Sequence, residues 1–241
     1  MPTKLFVTSF VLASALVANS AEAVYLNSAR FLSFENLKFD VSSVTTKNGN
    51  SKNRSFLVAK RTEKDGSSLL MRFKEPRDIK CTAVLLKKEG DISTNYLYLP
   101  SLNRTRIIPQ SKKGSEVFGL GISYSELNAE GGEFKPLEEF VKDGVKYFKV
   151  TRVADPMKSE YIINSISSEV ESIKVYRGEI LEKEILMDKV IEIDKVRLIT
   201  EWRINDFKKG REISYSIDKS SISSKVNASL FRKNRLSRCV F

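Results

Sequence analysis

The chain has 241 residues and a formal net charge of +11, with 41% hydrophobic and 29% charged residues. This composition is typical of a folded globular chain and excludes wholesale disorder. The sequence contains no histidine and only two cysteines. These counts exclude a Ser-His-Asp triad, a histidine-containing zinc or haem site, and a four-cysteine zinc or iron–sulfur site within one chain.

The N-terminus has the pattern of an export signal. Lys4 supplies a positive start, residues 5–17 are mostly apolar, and Ala-Glu-Ala at 21–23 is a small-x-small cleavage site. We therefore expect residues 1–23 to be a cleaved signal peptide, so that the mature chain begins at Val24 in the periplasm. An uncleaved anchor is the alternative, but the apolar stretch is shorter than the ~20 residues that span a bilayer.

The basic charge points to anionic partners. Cleavage removes one Lys and one Glu, so the net charge of +11 is kept. Outside the cytoplasm the abundant anions are lipid head groups and other envelope polymers, and each surface Lys or Arg contributes about 1 kcal/mol near an anionic membrane. Nucleic acid is the other partner that charge allows. We expect no nucleic-acid binding, because the basic residues alternate with apolar ones along predicted strands instead of forming one block with aromatics.

The pairing of Cys81 and Cys239 is left open by the sequence. An exported chain lies in an oxidising compartment, where two cysteines can form a disulfide. The two residues are far apart in sequence, however, and Cys239 is almost C-terminal.

In chain order, the sequence after the signal alternates apolar and polar residues, which predicts half-buried antiparallel strands. In the first half we predict strands at residues 37–41, 56–58, 69–73, 79–86, 96–99 and 104–108. In the second half we predict strands at 145–153, 169–176, 180–187, 198–204 and 211–217, with turns at Asp143-Gly144, Arg177-Gly178 and Lys209-Gly210. About eleven strands with short connections predict one large antiparallel sheet or barrel. No break in composition divides residues 24–241, so we expect one domain.

Two segments depart from this pattern. Residues 111–136 lack strand periodicity and combine several glycines with apolar residues. A stretch of this kind inside a compact domain is functional or carries short helices of its own, and its apolar residues predict that it packs over something. Residues 226–238 predict a short closing helix.

No residue set predicts catalysis. Glu138-Glu139 and the glutamates of 169–171 are better explained as solvated strand exteriors than as an acid/base pair. Gly119-Leu-Gly121 is too short for a phosphate-binding loop and lacks the strand-to-helix context. A Ser-Lys hydrolase centre is compatible with the many serines and lysines but has no positive support. We therefore predict no enzymatic activity, no cofactor and no metal.

Residues 70–127 carry a family resemblance. Their distinctive features are Phe73 with Pro76 and Asp78-Ile-Lys, then Tyr98-Leu-Pro with Arg104 and Arg106, then Phe118-Gly followed by Ser123-Tyr124 and Leu127. In this order and at roughly this spacing they resemble the LolA-like family of outer-membrane lipoprotein-sorting proteins. A weaker likeness continues through Tyr176-Arg-Gly and Lys209-Gly to Ser229-Leu-Phe and Leu236.

The resemblance implies a mainly β (α+β) fold, in which a strongly curved antiparallel sheet of about eleven strands forms an incomplete β-barrel with a helical lid. The concave side would form an apolar cavity for acyl chains, and the candidates on the predicted strands are Phe39, Val41, Phe56, Val58, Leu69, Met71, Phe73, Leu97 and Leu99. The same residue types are also those of an ordinary core. The lid would be Gly114 to Gly132, with Phe118, Ile122, Tyr124 and Leu127 as its apolar residues. Arg104 and Arg106 are candidates for contact with a head group or an acidic partner, the alternative being solvent-facing residues that pair across the sheet.

The sequence thus predicts a monomeric periplasmic carrier for lipids or for the acyl chains of lipidated proteins. It would make transient membrane contact and deliver cargo toward the outer membrane, between an inner-membrane transporter and an outer-membrane acceptor. The alternative is an adaptor or structural subunit that docks on a membrane lipid transporter and holds no cargo of its own.

Overall fold

The computed structural model describes residues 20–28, 34–90, 92–112, 114–128, 132–193 and 196–241. Most of the predicted signal peptide, residues 1–19, lies outside the described residues. Helix α1 (Ala21–Asn27) begins at Ser20, whose side chain accepts a hydrogen bond from the backbone N–H of Ala23. The helix therefore includes the predicted cleavage site.

Antiparallel strands dominate the described residues. They are β1 (Leu37–Lys47), β2 (Asn50–Glu63), β3 (Gly66–Glu75), β4 (Ala83–Glu89), β5 (Ile92–Leu99), β6 (Arg104–Ile107), β7 (Glu133–Phe134), β8 (Glu138–Lys142), β9 (Val145–Ala154), β10 (Met157–Asn164), β11 (Val170–Arg177), β12 (Ile180–Ile193), β13 (Val196–Asp206) and β14 (Arg211–Ser223). The second helix is α2 (Tyr124–Asn128), and short 3-10 turns occupy Pro100–Leu102, Gln110–Lys112, Ala228–Phe231 and Lys233–Arg235.

The strands belong to one 14-stranded sheet in the order β6-β5-β4-β3-β2-β1-β14-β13-β12-β11-β10-β9-β7, and β8 also pairs with β9. Each strand is antiparallel to its neighbours, and the first and last strands meet at the centre, where Val41 lies opposite Ile217. The sheet stays open, which confirms the predicted mainly β, curved and incomplete barrel with a small helical part.

The described residues contain fourteen strands instead of about eleven, because β7, β8 and β10 were not predicted. Strand β8 is exposed along its whole length, so it has no buried face to produce a periodic signal. The prediction of a strand at 79–86 was wrong over its first half. Cys81 has a φ of +66°, and residues 76–82 form a turn that precedes β4. The three predicted glycine turns are confirmed, with left-handed φ at each glycine.

Side chains divide between two faces of the sheet, which we call the inner and the outer face. The inner face carries the largest apolar cluster, which includes Phe39, Phe73 and Trp202, and a second cluster under α1 around Tyr25 and Tyr161. Partly buried Ile185 and Met187 pack against both clusters, so the two are continuous.

The outer face of β2 to β5 carries a third cluster, covered by the C-terminal segment. Phe231 and Leu236 pack there on Leu70 and Leu85. The segment forms two 3-10 turns in place of the predicted closing helix. A disulfide joins Cys81 to Cys239 across a sequence separation of 158 residues, with Cα atoms 5.2 Å apart, which decides the pairing that the sequence left open.

Candidate functional site

Residues 129–131 of the predicted lid, Gly114 to Gly132, lie outside the described residues. The part at residues 114–128, which we call the lid segment, lies on the inner face of the sheet. Its first part is a tight loop in which the backbone N–H of Val117 donates to the carbonyl oxygen of Ile122 at 2.9 Å. Gly121 occupies this loop with a φ of +64°, and a Cβ there would come within 2.8 Å of Ile213 Cδ1. Glycine is therefore required both by the backbone and by the close approach to the sheet.

Apolar side chains of the lid segment fill the space above the centre of the inner face. Val117 is fully buried and Leu120 is 1% exposed. The Tyr215 hydroxyl donates a hydrogen bond to the carbonyl oxygen of Leu120, and its ring stacks on Trp202 with centroids 4.7 Å apart. The loop is thus held by apolar packing below and by one buried hydroxyl.

Charged residues fasten the lid segment to the sheet on β12 to β14, and we call this group the latch. Glu116 accepts hydrogen bonds from Lys209, from Arg211 at 2.5 Å and from the backbone N–H of Gly121 at 2.6 Å. Arg211 also pairs with Asp206 at 2.7 Å. Glu116 thus joins the lid segment to the β13–β14 turn and to the start of β14, and the Arg211–Asp206 pair holds the two strand ends together.

The contacts within the latch shift the pKa values of Glu116 and Arg211. Burial raises the pKa of Glu116, but the hydrogen bonds from Lys209, Gly121 and Arg211 outweigh it, so the net shift is downward. Burial lowers the pKa of Arg211, and its bonds to Glu116 and Asp206 more than compensate. Both groups are therefore charged at neutral pH.

The second half of the latch is Lys183 on β12. Its Nζ lies 2.5 Å from Oε1 of Glu126 on α2 and donates to the carbonyl oxygen of Gly121 at 2.8 Å. Glu126 also accepts from the backbone N–H of Ser123 at 2.8 Å, which caps the first turn of α2. On the other side of the lid segment, a Cβ on Gly119 would meet Arg54 of β2 at 2.7 Å, so this guanidinium lies directly against the loop.

Seven of the nine predicted cavity residues lie in the main inner cluster: Phe39, Val41, Phe56, Val58, Leu69, Met71 and Phe73. Leu97 is partly buried against the same cluster. Leu99 is half-buried near the end of β5, outside the three clusters.

The four predicted lid residues also contact the inner cluster. Ile122, Tyr124 and Leu127 belong to it, and burial raises the pKa of the Tyr124 hydroxyl. Phe118 is half-buried and meets Phe73 edge to face, with ring centroids 5.3 Å apart. The structure thus brings the predicted lid and the predicted cavity residues together.

Arg104 and Arg106 lie on the edge strand β6, directly opposite Leu99 and Leu97. Opposed residues of an antiparallel pair point to the same face, so both arginines stand on the inner side at the rim. Both are exposed, and the described residues place no carboxylate within ion-pair distance of either one.

Several residues of the site were missed by the sequence reasoning. Trp202, Ile204, Ile213 and Tyr215 line the inner face from β13 and β14. Their alternation with polar residues predicts a buried face for each strand, but it does not distinguish the lining of a cavity from an ordinary core. Glu116, Lys183 and Arg211 gave no signal, because an ion pair across the sheet leaves no local pattern in the sequence.

No helix among the described residues combines the length and the apolar character needed to cross a membrane. The same part of the chain contains no group of three or more cysteines and carboxylates that could hold a metal ion.

Comparison with solved structures defines the class: the chain has the LolA-like fold. A putative outer membrane lipoprotein-sorting protein domain from Vibrio parahaemolyticus is 18% identical with a TM-score of 0.78, over 90% of this chain and 97% of that one. A DUF1329 family protein from Desulfovibrio piger is 15% identical with a TM-score of 0.77, over 90% and 95% of the two chains. A LolA superfamily protein from Nitrosomonas europaea is 13% identical with a TM-score of 0.70, over 89% and 98%. Identities this low show the fold alone, and the predicted LolA-like resemblance is confirmed at that level.

The sequence profile of a family described as "-like: Uncharacterized protein" matches residues 65–238. The match covers most of the chain, and the chain belongs to this family. A search of curated protein sequences found no significant match.

Proposed function

We propose that the protein is a non-enzymatic periplasmic carrier that binds the acyl chains of lipids or lipidated proteins on the inner face of the sheet. It would transfer them between membranes, toward the outer membrane. The solved structures of similar fold include a lipoprotein-sorting domain, which supports a lipid-binding role for this fold.

One observation carries the proposal: the lid segment packs Val117, Leu120 and Ile122 against the apolar cluster of the inner face. An acyl chain of ~16 carbons gains about 12 kcal/mol on leaving water, at ~0.8 kcal/mol per methylene. A carrier must offer an equally dry surface to remove such a chain from a membrane. The inner face offers one if the acyl chain takes the place of the lid side chains.

The latch supports a lid that can move. Its ion pairs are mostly buried in this structure, with the Lys183 and Arg211 side chains each 11% exposed, and water can replace them only when the segment lifts. If apolar packing alone held the lid, lifting it would expose apolar surface to water, and no charged group would become hydrated to offset that cost. Cargo release needs such a movable lid, because a carrier must also deliver what it binds.

The disulfide supports the proposed compartment. Disulfides persist in oxidising compartments such as the bacterial periplasm. Together with the predicted signal peptide, the Cys81–Cys239 bond favours an exported protein. The inner-membrane donor and outer-membrane acceptor remain part of the proposal.

Arg104 and Arg106 are proposed to meet the anionic head group of the cargo or an acidic partner at the rim. The double substitution to Gln should weaken binding to anionic vesicles and flatten its salt dependence, because two of the contributing charges are lost. If vesicle binding and its salt dependence are unchanged, both arginines are solvent-facing strand residues with no role in binding.

A second candidate function is the adaptor that carries no cargo. The burial of the lid side chains favours it, since Val117 and Leu120 are almost completely covered by other protein atoms. Native mass spectrometry and lipid extraction of the purified exported protein separate the two. A carrier should retain acyl chains or accept a fluorescent fatty acid in a saturable manner. An adaptor should do neither.

A further inference from the structure

A basic cleft lies on the outer face, on the opposite side of the sheet from the lid segment. Its volume is about 560 Å³, and it lies between strands β4 to β6 and the C-terminal 3-10 turns. The inner face and its apolar clusters do not contribute to it. The carrier proposal leaves this cleft without a role.

The lining of the cleft is positively charged. Lys87, Arg232 and Lys233 supply three cations, and no carboxylate is among the lining residues. Lys87 pairs with Glu89 at 2.6 Å, but that side chain is 72% exposed and lies outside the cleft. Exposed pairs of this kind are weak, so the lysine can exchange its partner for a ligand.

Neutral groups complete the lining. Thr105 and Asn234 bring a hydroxyl and an amide, and Tyr96 and Phe231 form an aromatic wall. Lys233 lies over the Tyr96 ring, with Nζ 5.4 Å from the centroid, so its ammonium group is held at the wall of the cleft.

The C-terminal wall is fixed in place. Leu236 is fully buried, and the disulfide at Cys239 fastens the end of the segment. The Arg72 guanidinium donates a hydrogen bond to the carbonyl oxygen of Val240 at 2.5 Å. The backbone N–H of Arg235 donates to the carbonyl oxygen of Arg232 at 2.9 Å. A wall that is already ordered loses little entropy when a ligand binds.

We propose that this cleft binds a phosphate group. Guanidinium and ammonium donors are the preferred protein partners of phosphate, and a hydroxyl and an amide add further hydrogen bonds. Three cations facing one opening match a doubly charged anion. The phosphate can belong to a soluble molecule or to a lipid head group at a membrane surface, since both present the same chemistry.

Isothermal titration of the full exported protein with inorganic pyrophosphate tests this site. The variant R232Q/K233Q should bind pyrophosphate at least tenfold more weakly, and T105V should lose a smaller factor. The control K52Q/K64Q removes two exposed lysines outside the cleft and should bind as the wild type does. Flotation with phosphatidylglycerol vesicles identifies the source: weaker vesicle binding in R232Q/K233Q but not in the control K52Q/K64Q assigns a head group, and vesicle binding equal to that of the wild type assigns a soluble phosphate.

The absence of saturable pyrophosphate binding to the wild type would contradict the proposed phosphate site. Equal pyrophosphate affinity in the wild type and R232Q/K233Q would also contradict it, as would an equal loss of affinity in K52Q/K64Q and R232Q/K233Q. Uptake of a fluorescent fatty acid by R232Q/K233Q should remain that of the wild type. The failure of the phosphate site is therefore distinguishable from the failure of the carrier proposal.

Discussion

Lys183 on β12 and Glu126 on α2 are joined across the inner face, with Nζ and Oε1 2.5 Å apart. The lysine side chain is only 11% exposed, and it also donates to the carbonyl oxygen of Gly121. One side chain thus fastens both halves of the lid segment to the sheet. Removing one partner of a poorly solvated ion pair costs more free energy than removing one partner of a surface pair, because the remaining charge is left buried without a counter-charge.

The substitution K183M should loosen the lid segment. It removes the ammonium group and leaves Glu126 and the Gly121 carbonyl without it, so we expect a loss of about 1–2 kcal/mol in the free energy of lid closure. Hydrogen exchange at residues 115–128 should accelerate by roughly tenfold, as 1.4 kcal/mol corresponds to one factor of ten.

The matched control is K189M on the same strand. Lys189 pairs with Glu201 at 3.4 Å, and both side chains are nearly half exposed. Its loss should leave exchange in the lid segment unchanged. Equal acceleration in both variants would mean that Lys183 supports the sheet in general and does not hold the lid.

The Glu116 carboxylate should make the stability of the protein depend on pH. Its folded-state pKa lies below the ordinary value of 4.5, so the folded state gains stability from it above that pH and loses it as the pH falls through the lower, folded value. The free energy of unfolding of wild type should exceed that of E116Q by about 2 kcal/mol at pH 7. This difference should shrink below about pH 4.5, and a difference that is constant from pH 7 to pH 3 would contradict the assignment.

The substitution F118D should abolish acyl-chain binding and preserve the fold. Phe118 is half-buried, and its φ of +43° is a conformation that Asp adopts more readily than Phe, so the backbone is not strained by the change. A carboxylate at the edge of the apolar face should repel hydrocarbon. Binding of a fluorescent fatty acid measures the effect, and F140D on the exposed strand β8 is the control. If F118D still binds the fatty acid as the wild type does, the lid segment is not part of the cargo site.

How much the sequence predicts depends on how local the signal is. The half-buried strand β14 alternates Ile213, Tyr215 and Ile217, and its strand was predicted from that pattern. Strand β8 and the two-residue β7 bury too little to carry a period, so they were missed. The latch is beyond such reasoning for another reason: Glu116 and Arg211 are 95 residues apart in sequence and meet only because the sheet places them together.

The disulfide should contribute strongly to stability. In the loop-entropy description, a bond that closes a loop of this length restricts the unfolded chain by about 5 kcal/mol. The variant C81S/C239S should therefore unfold at a clearly lower denaturant concentration, and the C-terminal segment should become protease-sensitive as it leaves Leu70 and Leu85 uncovered. Wild type treated with a reductant should match the variant, and a reductant should not affect the variant itself. Unchanged unfolding on reduction would mean that packing of Phe231 and Leu236 alone holds the segment.

Trp202 provides the most direct test of cargo binding on the inner face. It is the single tryptophan of the chain, is 2% exposed, and stacks on Tyr215, whose hydroxyl donates to the carbonyl oxygen of Leu120 in the lid segment. A dibrominated stearate quenches tryptophan fluorescence only near contact, so the carrier account predicts saturable quenching of Trp202 that unlabelled stearate reverses. Full fluorescence at ligand concentrations that saturate binding would place the acyl chain elsewhere, and the absence of binding altogether would contradict the carrier function.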